Sequence, residues 1–239
     1  MMDLFRLNVD SKYEQQISQY KKLDGYLAVI CYLAFFSFIY IYAKFVRFGF
    51  VPENVLLQQT IIPIIFTPLL ISILLIIRGQ KINTIGISNY RIKESIIAGV
   101  VLLILTSLCL IFYNIIIVGE LRVYILYSWV TYLIYDVIQT ALMEEVIFRG
   151  YIATRLRGLF KNRWVSIILG AIMFSLVHIA AIISVSNLTI IEAIMSNWVK
   201  LSYTFVFHII AQLIHEKYNN LAGPIILHGI GNILVKWML

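Results

Sequence analysis

The feature that most restricts this chain is a succession of apolar runs, each long enough to cross a bilayer. A helix rising 1.5 Å per residue needs roughly 20 apolar residues to span about 30 Å of hydrocarbon. Such runs fall at 26–46, 57–77, 96–118, 126–148, 164–184, 200–214 and 222–238. The sixth is short, and an eighth span would arise if it began near Ile190. Only 13% of the 239 residues are charged and 61% are hydrophobic, with a mean hydropathy of +0.90. A soluble domain carries about 25% charged residues. The expectation is an all-α polytopic transmembrane bundle of about seven spans.

Charge adds a topology. The net charge is +7. With seven spans, 14 of the 19 Lys and Arg residues fall on the side of the N-terminus and 5 on the other. Cytoplasmic loops carry the excess of Lys and Arg, which predicts a cytoplasmic N-terminus and an external C-terminus. The basic residues are therefore read as orienting the chain in a cell membrane, with no nucleic-acid partner. The first 25 residues are polar and precede the first apolar run without a small-residue cleavage site. They are read as a cytoplasmic tail or surface helix rather than a signal peptide. Cys31 and Cys109 both lie in expected spans and suggest neither a disulfide framework nor a cysteine metal site.

Polar residues within the spans are sparse over the N-terminal helices, 26–124, and concentrate in 125–239. Ionisable groups in lipid are costly, so their concentration locates the function. ALMEEVIFRG, 141–150, holds Glu144, Glu145 and Arg149. Positions four apart share a helix face, so Arg149 can neutralise Glu145. Glu144 is turned about 100° away and stays chemically available. Two further pairs follow, Phe174 with His178 and His228 with Asn232, the latter beside Gly229 and Gly231, which permit close helix approach. A carboxylate with an imidazole can activate water. An imidazole with a carboxamide can supply donors to an oxyanion. The structural reading of each pair is hydrogen-bonded glue between helices, and for Glu145 with Arg149 it is preferred.

Other intramembrane protease patterns do not fit the letters. The nearest approach to HExxH is His215-Glu216-Lys217-Tyr218-Asn219, where Asn219 stands at the second ligand position. Asp136 is the single aspartate of the spans, and the only Gly-x-Ser is Gly86-Ile87-Ser88, in a basic loop. Asp136 is read as structural, bonding to Thr140. His208 and His215 share a face but have no carboxylate in the spans to complete a metal site. Glu192 and Lys200 are expected to flank a span at the interface.

With these residues in place, the chain resembles the CPBP family, the CAAX proteases and bacteriocin-processing enzymes also called Abi. Glu144-Glu145-Val146-Ile147-Phe148-Arg149 matches its EExxxR motif, Phe174 to His178 its FxxxH, and His228 to Asn232 its HxxxN. The resemblance implies an intramembrane endopeptidase with a CPBP-like catalytic core over 125–239. It implies that Glu144 and His178 activate water, that His228 and Asn232 stabilise the oxyanion, and that Glu145, Arg149 and Phe174 support them. The family is often described as metalloproteases, and Glu144, His178 and His228 would be the ligands of an open zinc site. The metal-free account, with no cofactor, is preferred because Asn232 is a poor zinc ligand and a natural oxyanion donor. Expected substrates are membrane-anchored peptides or proteins: a prenylated CAAX tail, or a bacteriocin or pheromone leader. Composition hints at a bacterial chain, and so at peptide processing, self-immunity or signalling. The competing functions are a non-proteolytic membrane regulator or immunity protein, and a proton-coupled transporter.

Overall fold

The computed structural model describes residues 8–50, 56–119 and 133–238. Every regular element among them is a helix. In chain order these are α1 (Ser11–Ser18), α2 (Lys22–Arg47), α3 (Leu56–Ile77), α4 (Ile92–Tyr113), α5 (133–156), α6 (Arg163–Val185), α7 (Ile190–Ser196), α8 (Trp198–Tyr218) and α9 (Ala222–Met238). A short 3-10 turn, Ile82–Ile85, leads from α3 toward α4. The all-α bundle is therefore the architecture.

Each expected run lies on a helix, except that 126–132 falls outside the described residues. Three helices are long and apolar enough to cross a membrane: Lys22–Arg47, Ile92–Ile116 and Arg163–Val185. Shorter apolar helices cover Ile62–Ile77 and Ala222–Val235. The chain is thus an integral membrane protein, and three spans rather than seven meet the length criterion among the described residues. Near residue 190 there is a separate short helix, α7, closed by a capping box between Thr189 and Glu192.

In Ile92–Ile116 only 17% of the most apolar window is buried inside the protein. A helix that is apolar all round yet mostly uncovered is suited to lipid. By contrast, α5 from Val146 to Leu156 is buried along its whole length, against Ala28, Cys31 and Phe35 of α2 and Phe174 and Val177 of α6. It is the central helix. Wide π-type turns at Leu133–Leu142 and Val146–Ala153 flank an α turn at Met143–Glu145. Such turns are uncommon and concentrate at functional sites.

Packing around α5 is set by glycines. A Cβ at Gly99 on α4 would strike the backbone of Gly223, and one at Gly223 would strike that of Ser95, so α4 and α9 cross in backbone contact. Ser95 ties the crossing: its hydroxyl donates to the Asn220 carbonyl at 3.2 Å and accepts from the Gly223 N–H at 2.9 Å. Higher on α9, a Cβ at Gly229 would lie 2.9 Å from Val137 Cγ2 and 3.0 Å from its Cα. That contact brings α9 against α5. Gly231 does not serve this purpose, since its nearest neighbour would be Leu103 at 3.9 Å, an ordinary contact.

α1 is capped by Asp10 and docks on the C-terminal end of α8. The Asp10 N–H donates to the Glu216 carbonyl at 2.9 Å, Gln212 Nε2 donates to the Tyr13 hydroxyl at 3.1 Å, and Tyr13 meets His215 edge to face.

Candidate active site

Glu145 sits at the centre. Its side chain and that of Arg149 are fully buried, with Oε1 2.8 Å from Arg149 Nη1. The same oxygen accepts from His228 Nδ1 at 2.8 Å. Arg149 makes its contact as charge to charge, since its N–H groups do not point along the short vector. Its guanidinium lies instead on aromatic faces, 4.2 Å from the centre of Phe174 and 5.2 Å from that of Phe207. A planar cation on aromatic rings is stabilised by their quadrupoles, most when desolvated. Phe174 thereby supports Arg149, and it also packs edge to face on Phe148 with centroids 5.0 Å apart.

Glu144, one residue earlier, faces elsewhere. Its side chain is 18% exposed, and Oε2 is buried without a hydrogen-bond partner 3.9 Å from His228 Nε2. A carboxylate oxygen withdrawn from water and left unpartnered is costly, and such groups mark places where chemistry is done. His178 donates Nδ1–H to the Phe174 carbonyl at 2.9 Å, because a carbonyl can only accept. In the neutral ring this leaves Nε2 as an acceptor. His178 and His228 share Phe174 as a neighbour, their ring centroids lying 5.3 and 6.2 Å from its own. Asn232 is half-buried on α9, one turn beyond His228 on the same face.

Glu144, Glu145, Arg149, Phe174, His178 and His228 are thus brought into one neighbourhood by α5, α6 and α9. His208 borders it, its ring centroid 5.5 Å from that of Phe174, and His215 lies two turns farther along α8. Both are buried on α8, where a Cβ at Gly170 or Gly86 would press on their respective rings. Glu216, the acid of the HExxH-like stretch, is bound to Arg163 at 2.6 Å. Asp136 is buried on α5. Phe207 belongs to the site and escaped the sequence reading: its ring centroid lies 4.9 Å from that of His228. Nothing in its spacing separates it from the many lipid-facing aromatics.

Beside the site, an apolar cleft of about 450 Å³ runs between α4, α8 and α9. It is lined by Leu103, Tyr203, Phe207, Leu227 and Gly231, among others. Phe207 is shared between this cleft and His228.

Residues 126–234, which contain Glu144, Glu145, Arg149, Phe174, His178, His228 and Asn232, match the family model for the type II CAAX prenyl endopeptidase Rce1-like proteins. Over this segment the chain is similar to the Rce1-like family. That family is one of proteases. No curated protein and no solved structure matches. The Rce1-like segment carries EExxxR, FxxxH and HxxxN in the order in which α5, α6 and α9 assemble them.

A zinc ion would require Glu144, His178 and His228 to converge. The two Nε2 atoms and the Glu144 carboxylate are suitable donors. Among the described residues, however, no three His, Cys, Asp or Glu side chains gather closely enough to hold one ion.

Proposed function

We propose that this protein is an intramembrane endopeptidase that hydrolyses peptide bonds of membrane-associated peptides or proteins. The observation that carries the reading is the buried, unpartnered Oε2 of Glu144 facing His228 Nε2, beside a histidine whose free nitrogen can accept a proton. Glu144 takes a proton from water as the water oxygen attacks the scissile carbonyl carbon. His178 Nε2 accepts the second water hydrogen bond and aligns the nucleophile. The carbonyl becomes an oxyanion, which receives hydrogen bonds from His228 and Asn232. Collapse breaks the C–N bond, and Glu144 returns its proton to the departing amine.

The hydrogen bonds refine one role. With Nδ1 donating to Glu145, His228 can offer Nε2–H to an oxyanion only as the doubly protonated ring. Glu145 is the buried anion that accompanies that ring, and Arg149 holds Glu145 in place. No step here requires a metal, and the metal-free course is the one proposed.

The apolar cleft supports a substrate with a lipid or apolar anchor, such as a prenylated CAAX-type tail or the leader of a bacteriocin or pheromone. Basic residues concentrated on the α1 side support a cytoplasmic N-terminus in a bacterial plasma membrane. The test compares membranes bearing the native chain with those bearing Glu144→Gln, reading new peptide termini by mass spectrometry. Products that vanish in the variant at equal protein level are the expected result. Identical peptides from both membranes would favour a non-proteolytic regulator that binds a membrane partner.

A further inference from the structure

Two basic stretches far apart in sequence meet where two of the membrane-crossing helices begin. α2 starts at Lys22 and α6 at Arg163. The loop between α5 and α6 folds over the start of α2: a Cβ at Gly158 would strike the Lys21 carbonyl, and one at Gly25 would strike the Leu159 side chain. Lys21 and Lys22 are thereby set beside the segment that carries Arg157 and Lys161. All three lysines are exposed. Arg157 is half-buried, with Nη1 withdrawn from water and without a hydrogen-bond partner.

The carboxylates at hand are engaged by arginines. Asp24 is held by Arg78 at 2.8 Å and by Gln80 at 2.8 Å, and Glu216 by Arg163 at 2.6 Å. Asp10, at the other end of α1, meets Arg91 at 3.2 Å. Among the described residues, Lys21, Lys22, Arg157 and Lys161 have no carboxylate partner. Like charges gathered without an acid repel one another. Topology does not account for the gathering, since orientation asks only that cations lie on one side of the membrane. A cluster of this kind is matched to an anion from outside the chain.

The surroundings select which anion. Leu23 and Tyr26 at the start of α2 and Trp164 at the start of α6 are 51, 57 and 46% exposed. Tyr and Trp at the ends of spans sit at the level of lipid headgroups. Ile30 and Leu33 continue the exposed face of α2 toward the bilayer centre, because residues 23, 26, 30 and 33 share one side of a helix. Cations at the head of an apolar stripe fit an amphiphile, whereas a free phosphate would use the cations alone.

We infer that the start of α2 and the α5–α6 loop form a binding surface for the phosphate of an anionic phospholipid, whose acyl chains lie along the Leu23, Tyr26 and Ile30 face. The surface lies on the side of the bundle that carries the cationic excess, where the cytoplasmic leaflet supplies anionic lipid. The inference stands apart from the endopeptidase reading.

The experiment offers the full-length protein, in a neutral detergent, equal amounts of phosphatidylglycerol and phosphatidylcholine, and native mass spectrometry counts the lipid retained. Two double variants are compared. Lys21→Gln with Lys161→Gln removes two charges from the cluster. Lys12→Gln with Lys93→Gln removes two from the same side of the bundle, near Tyr90 and Arg91. A cation at an anionic surface is worth about fivefold in affinity, so the first pair should lower phosphatidylglycerol retention about 25-fold and the second should leave it unchanged. Equal losses from both pairs would mean general surface charge and overturn the inference, as would a native protein that retains both lipids alike. Phosphatidylglycerol should also raise the melting temperature of the native protein and not that of the first pair, since a ligand of the folded state stabilises it. The same rise with inorganic phosphate alone would replace the lipid by a free anion and overturn the inference.

Discussion

His228 Nδ1 and Glu145 Oε1 lie 2.8 Å apart across 83 residues of sequence, and Arg149 meets the same carboxylate oxygen at 2.8 Å. One buried anion therefore serves two tasks, holding its own helix through Arg149 and aiming an imidazole on α9. Glu144 next to it makes no hydrogen bond through Oε2. Adjacent glutamates are set apart in this way by what they touch.

That division separates the two glutamine substitutions. Glu144→Gln is predicted to lower peptidase turnover by at least 100-fold, the lower range for losing a general base, with an unchanged melting temperature in detergent. A clear drop in melting temperature would show that Glu144 is structural.

Glu145→Gln should instead destabilise the protein. Removing one member of a buried ion pair costs about 3–5 kcal/mol, here with His228 left donating to a neutral amide oxygen in place of a carboxylate. Thermal unfolding of the purified variant measures this, and a melting temperature equal to that of the native protein would refute the assignment.

Arg149→Lys keeps the charge but loses the planar group that lies on Phe174 and Phe207. Desolvated stacking of this kind is worth about 2 kcal/mol, and lysine does not replace it. The expected variant is less stable than the native protein but more stable than Arg149→Met, which leaves Glu145 without its buried arginine partner. Denaturation in a graded detergent series would give the order, and a reversed order would count against the stacking.

Gly229→Ala and Gly231→Ala form a matched pair. The first adds a methyl 2.9 Å from Val137 Cγ2 and 3.0 Å from its Cα. Overpacking at that contact should cost about 1–3 kcal/mol and displace His228 from Glu145. The second meets nothing nearer than 3.9 Å and should be neutral or slightly stabilising, since alanine is the better helix former. Equal effects on activity and melting temperature would show that the α5–α9 approach does not depend on Gly229.

Metal dependence is separable from these. Dialysis against a strong chelator should leave the cleavage rate unchanged. A rate that falls with chelation and returns with zinc would install Glu144, His178 and His228 as ligands.

The helical class and the available face of Glu144 were legible because both follow from local periodicity: runs of apolar residues, and a 100° step between neighbours. The pairing of Glu145 with Arg149 was legible for the same reason. The double duty of Glu145 was not, because it depends on α9 arriving at α5, which Gly229 and Val137 decide together. Phe207 was hidden among many aromatics of the same kind. The burial of His208, Gln212, His215 and Glu216 on α8 was not legible either, since it depends on the helices packed around them.

The docking of α1 bears on the order in which the molecule is made. Tyr13 and Gln212, joined by their side chains, are 199 residues apart. Asp10 reaches Tyr90, Arg91 and the Glu216 backbone in the same way. During synthesis α1 emerges early and its partners on α8 late, so it has no place to rest until nearly the whole bundle has been inserted. Closure over so long a loop is slow to form. The free α1, with Tyr13 and Ile17 uncovered, would distinguish an unfinished chain from a completed one, and its protection from protease would time the last step of assembly.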